Sequence, residues 1–132
     1  MVHASLDGPE HWPYVCDKLS AAANFSYQNT TVCFYGHTHL PMAFTRDIIV
    51  RGGTYSKIKI EQGRKYFVNV GSVGEPRDGN PAAAYVLYDF SDASIELRRV
   101  DYNREETEFK TLAAGLMLGR RTPNGLATQA GG

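Results

Sequence analysis

The sequence predicts a mixed α/β fold, in the α+β sense, with a run of adjacent strands bracketed by helices. Three observations carry this. Segments rich in β-branched and aromatic residues recur between Thr30 and Tyr102, separated by turn-forming residues. Helical spacing of apolar residues appears only before and after that run. No GxGxxG or P-loop follows a strand, which argues against a doubly wound nucleotide fold.

The elements follow in order. Met1 to Ala4 reads as the end of a buried strand, closed by the Asp7-Gly8-Pro9 turn. A helix is predicted from Pro9 to about Ala23, with Trp12, Val15, Cys16 and Leu19 at helical spacing. Thr30 to Tyr35 is a buried strand that runs into a tight turn at Gly36. Ala43–Val50 and Thr54–Ile60 read as a hairpin around Arg51-Gly52-Gly53. Lys65–Val70 is a further strand, and a Gly- and Pro-rich loop spans Gly71 to Pro81. Ala84–Phe90 and Ser94–Tyr102 form a second hairpin. From Arg104 to Leu118 helical character returns, with Phe109, Leu112, Ala113 and Leu116 on one face. The chain therefore reads as one domain over residues 1–118 and a flexible tail over 119–132.

Composition narrows the function classes. With 14 basic and 14 acidic residues the net charge is zero, so nothing suggests steering toward nucleic acid or an anionic membrane. No apolar stretch approaches the roughly 18–20 residues of a membrane span, and the first residues carry no signal-peptide pattern. Cys33 reads as a buried thiol and Cys16 as a helical one. Two such cysteines make no disulfide framework, and the expected location is the cytoplasm.

The chemistry-bearing residues cluster at predicted strand ends. Gly36-His37-Thr38-His39 directly follows a buried strand, and imidazole nitrogen suits zinc, iron, nickel and manganese. The bland alternative is a pair of surface loop histidines. His3 ends another apolar segment and is a third candidate ligand, whereas His11 lacks such a setting. Asn69 through Gly79 (Asn-Val-Gly-Ser-Val-Gly-Glu-Pro-Arg-Asp-Gly) is a strand end opening into a glycine-punctuated loop. Within it, Asn69, Ser72 and Arg77 are the candidate substrate or loop residues. Arg77 either grips a phosphate or pairs with Glu75 or Asp78.

Taken together, His3-Ala4-Ser5, Gly36-His37-Thr38-His39-Leu40-Pro41 and the 69–79 loop resemble the calcineurin-like metallophosphoesterase superfamily in order and spacing. The small prokaryotic-type phosphodiesterase branch, which includes relatives of a eukaryotic retromer subunit, is the closest likeness. Arg99–Tyr102 through Ala113–Leu116 resembles it too. The resemblance implies a two-sheet β-sandwich flanked by helices, and hydrolysis of phosphomono- or phosphodiesters at two divalent ions (Mn, Zn, Fe or Ni). It implies that His3 and His37 bind one ion and His39 the other. The family's Asp-x-His, bridging Gly-Asp and Gly-Asn-His/Asp elements precede His3 in its members and are not found in this sequence. The chain is thus expected to be the C-terminal part of the domain, carrying only part of the site and inactive alone. Three neutral imidazoles bring no negative charge to offset two adjacent cations. A homo-oligomer or a missing N-terminal half would cover the exposed sheet edge. A non-catalytic interaction module and a single-zinc domain are the alternatives.

Overall fold

The computed structural model describes residues 1–118. The expected flexible tail, 119–132, lies outside the described residues. A single 3-10 turn, Pro9–His11, precedes α1 (Lys18–Tyr27). The strands are β1 (Val32–Tyr35), β2 (Ala43–Arg46), β3 (Val50–Gly53), β4 (Lys57–Lys59), β5 (Lys65–Asn69), β6 (Ala83–Asp89) and β7 (Ser94–Val100). Helix α2 (Arg104–Ala113) follows them. One sheet has the order β1-β5-β2-β3 and the other β4-β7-β6. The mixed α/β class and the two-sheet architecture expected from the sequence are both present.

Alternation along the first sheet explains the layering. Cys33, Tyr35, Phe44 and Phe67 point to one face, where they pack with Ala21 and Phe25 of α1 and with Val15. Ala43, Tyr66 and Val68 point to the other, where they meet Ile95, Ile58, Val86 and Tyr88 of the second sheet. Strand period two therefore divides one sheet between a helix layer and a sheet layer. β5 is buried on both faces and reads as a continuous apolar run for that reason.

Several boundaries differ from the sequence reading. No strand forms at Met1–Ala4; the segment makes only two main-chain hydrogen bonds to the β1 edge, Val2 N–H to Phe34 and Gly36 N–H to His3. The predicted helix at Pro9 begins instead at Lys18. Pro13 disfavours helical backbone at the residue before it, and Trp12 takes a φ of 49°. Asp17 then accepts from Ser20 N–H at 2.8 Å in a capping box, which starts α1 there. Cys16 consequently lies outside the helix and is exposed, and Leu19 is 83% exposed. Cys33 is buried as expected.

The first hairpin turns at Asp47–Ile49, not at Arg51–Gly53, because Asp47 Oδ1 accepts from the Ile48 and Ile49 amides. Gly52 lies within β3 opposite Phe44, and a Cβ there would stand 2.2 Å from the Phe44 ring. The glycine gives the ring a place to lie rather than making a turn. β4 joins the other sheet. The second hairpin forms as read, within a residue or two at each end. The last helix starts at Arg104 as expected but ends at Ala113 rather than Leu118, with Gly115 at a left-handed φ of 73°, and Phe109, Leu112 and Leu116 are exposed.

Candidate functional site

Parallel pairing of β1 with β5 builds the site. Their C-terminal ends lie side by side, so the loop after β1 (residues 36–41) and the loop after β5 (residues 70–82) emerge at the same end of the sheet. Asn69 ties them together. It is fully buried; its Nδ2 donates to the Gly36 carbonyl and to Thr38 Oγ1, both at 2.9 Å, and its Oδ1 accepts from Gly71 N–H at 2.9 Å.

The histidines flank the anchored Thr38. Thr38 N–H donates to the Gly36 carbonyl at 2.8 Å, closing a γ-turn whose centre, His37, has a φ of 69°. His39 has a φ of 60°. The left-handed backbone thus falls on the histidines themselves, not on Gly36 as the sequence suggested. Such strain in non-glycine residues is held only where surrounding contacts enforce it, and it concentrates at functional sites.

His3 and His37 come together across 34 residues, with His3 Nε2 3.0 Å from His37 Nδ1 and ring centroids 4.9 Å apart. One nitrogen donates and the other accepts, so the pair shares one proton at this contact. Burial holds the His37 pKa below the ordinary imidazole value, and the charges of His3, His39 and Arg77 act in the same direction.

His39 is held differently. Its Nδ1 donates to the Glu75 carbonyl at 2.9 Å and lies 3.2 Å from Glu75 Oε2. A carbonyl only accepts, so the proton sits on Nδ1 and the Nε2 lone pair is available to a ligand. Burial and Arg77 lower the His39 pKa, with Glu75 opposing them.

The loop residues take supporting places. Arg77 donates to Glu75 Oε2 at 2.8 Å, and its main-chain N–H reaches the His39 carbonyl at 3.2 Å. Asp78 pairs with Arg99. Ser72 Oγ accepts from Glu75 N–H at 2.9 Å. His11 stands apart, exposed beside Glu10 at 3.4 Å. Glu75 is the residue the sequence reading passed over as a site member. Only its place in the glycine-rich loop hinted at it, since 36 residues separate it from His39.

Two nitrogens 3.0 Å apart can both face one cation only when neither carries a proton there, which puts the proton of each neutral ring on its other nitrogen. Among the described residues, however, no three His, Cys, Asp or Glu side chains converge where a cation would sit. The donor set therefore does not fit a two-metal centre by itself. It offers an imidazole pair and a separately oriented third ring, without a bridging carboxylate. No described helix is long and apolar enough to cross a membrane.

The chain is similar to known proteins. A protein of Methanocaldococcus jannaschii, itself uncharacterized, is 35% identical over 104 residues, covering 76% of this chain and 40% of that protein. The crystal structure of a metallophosphoesterase from Sphaerobacter thermophilus matches with a TM-score of 0.70 at 31% identity, covering 88% of this chain and 50% of that one. The chain thus spans 40% of the curated relative and half of the solved structure. The family model for the calcineurin-like phosphoesterase superfamily domain matches residues 1–93, the span that holds His3, His37, His39 and the Asn69 brace. The chain belongs to the calcineurin-like phosphoesterase superfamily.

Proposed function

We propose that this chain contributes part of the site of a metal-dependent phosphoesterase acting on phosphomono- or phosphodiesters. His3, His37 and His39 are its metal-ligating residues. Asn69 holds the two loops in register, Ser72 and Arg77 shape the second loop, and Glu75 orients His39. The observation that carries the reading is the His3–His37 contact, two imidazole nitrogens 3.0 Å apart beside a strained γ-turn. Neutral rings suit a divalent ion, and the depressed His37 pKa keeps that ring neutral to lower pH. The remaining anionic ligands of a two-ion site would have to come from elsewhere, so hydrolysis belongs to the complete protein or assembly. Manganese, zinc, iron and nickel all remain compatible with imidazole donors.

The test has two parts. Calorimetry on the metal-free chain should detect manganese or zinc uptake that falls at least tenfold in His37→Ala. The product of the complete open reading frame should show metal-dependent hydrolysis of an aryl phosphodiester, abolished by His37→Ala with His39→Ala. Absence of hydrolysis in the wild-type product would favour an interaction module on the same fold instead.

A further inference from the structure

Two aromatic side chains crowd the His3–His37 contact without being buried by it. Tyr14 stacks on His37, with centroids 4.5 Å apart and planes inclined by 28°. Trp12 meets His3 at 5.1 Å and His37 at 6.2 Å, at 64° and 61°. Neither Trp12 contact lays an indole face flat against an imidazole. Trp12 remains 58% exposed and Tyr14 50% exposed.

The chain holds them there at some cost. Trp12 adopts a left-handed φ of 49°, which bulky residues rarely take, and Pro13 stiffens the link to Tyr14. The segment is pinned by Val15, which is buried and whose carbonyl accepts from the Tyr35 hydroxyl at 3.0 Å. Trp12 and Tyr14 leave broad ring surface toward solvent within one ring's width of the imidazoles.

We infer that Trp12 and Tyr14 form a stacking platform for the planar aromatic group, nucleobase or aryl ring, of a phosphate ester whose phosphoryl group lies at the adjoining histidines. The inference rests on the phosphoesterase reading and names its substrate class. Stacking on exposed aromatic side chains tolerates any flat ring, so the platform selects planarity rather than a particular base.

Trp12 is the chain's single tryptophan, so its fluorescence reports the platform directly. The full chain would be titrated with adenosine 5′-monophosphate, phenyl phosphate and ribose 5-phosphate. Saturable quenching by at least one of the two aromatic esters, and not by ribose 5-phosphate, is the expected result. Quenching by both identifies a general aryl platform, and by the nucleotide alone a nucleobase platform. Calorimetry should show about tenfold or greater weakening in Trp12→Leu with Tyr14→Leu, and near-normal binding in Trp12→Phe, which keeps a flat ring. Equal binding of ribose 5-phosphate, wild-type affinity in the double leucine variant, or no binding of either aromatic ester would overturn the platform. The metal and hydrolysis measurements on His37 and His39 variants read the phosphoesterase assignment separately. Loss of one without the other tells the two apart.

Discussion

Asn69 donates a hydrogen bond to the Thr38 hydroxyl at 2.9 Å, so a strand-end amide on β5 sets the conformation of the residue between two histidines on the neighbouring loop. The same amide satisfies the Gly36 carbonyl and the Gly71 N–H. Replacing it with alanine strips partners from several buried polar groups at once, and each costs about 1–3 kcal/mol when left unmade. Asn69→Ala should therefore lose about 2–4 kcal/mol of stability in urea unfolding. Asn69→Asp should not rescue it, because a carboxylate oxygen would face the Gly36 carbonyl in place of a donor. A loss below about 0.5 kcal/mol would show that the loops are held by other contacts.

Gly71 should be the least replaceable glycine of the second loop. Its φ is 79°, and a Cβ would stand 2.6 Å from Ala84 Cβ and 2.9 Å from Pro41 Cγ. Gly71→Ala thus combines left-handed backbone strain of about 1–2 kcal/mol with overpacking of about 1–3 kcal/mol. Gly63 provides the control, since its φ is 82° but nothing lies within 4 Å of an added Cβ. Gly63→Ala should cost only the backbone part, about 1–2 kcal/mol. Chemical denaturation of both variants checks the difference, which equal losses would contradict.

The core under the site turns on Phe67. It is fully buried, stacks on Tyr35 with centroids 4.2 Å apart, and meets Phe25 edge-on at 6.3 Å. Phe67→Ala should cost about 3–5 kcal/mol, and Phe67→Leu less than about half of that. Because Tyr35 lies one residue from Gly36, the alanine variant should also disorder the 36–41 loop. Heteronuclear spectra would show this as broadening of Thr38 and His39 amide signals ahead of global unfolding.

What the sequence made legible was the part governed by local pattern. β1, β5 and the second hairpin follow from short β-branched and aromatic runs, and His37 and His39 stood out because they directly follow one of them. The missed boundaries depended on competition between neighbours. Trp12, Val15 and Leu19 share a helical spacing, but Pro13 and the Asp17 cap override it. Gly52 and Gly53 read as a turn until Phe44 is seen to lie across Gly52. The part of Glu75 beside His39 and the approach of Trp12 and Tyr14 to His37 depend on contacts between loops, which no periodicity encodes.

The depressed pKa of His37 gives a signed prediction for stability. Burial, the cause that leads, disfavours the charged ring in the folded chain, so the unfolded chain takes up this proton first as pH falls. The contribution of His37 is therefore fully present above its ordinary value of 6.5 and is lost as pH falls through the lower folded value. His39 is shifted the same way and supplies part of the same slope. In chelator-treated protein, urea midpoints of the wild type should decline from about pH 7 to about pH 5, and His37→Gln should flatten that decline without removing it. The ring signal of His37 should titrate with a midpoint below 6.5 in the same samples. A midpoint above that value would mean that the contact with His3 stabilises a shared positive charge instead, and the pair would then repel a divalent ion until deprotonated.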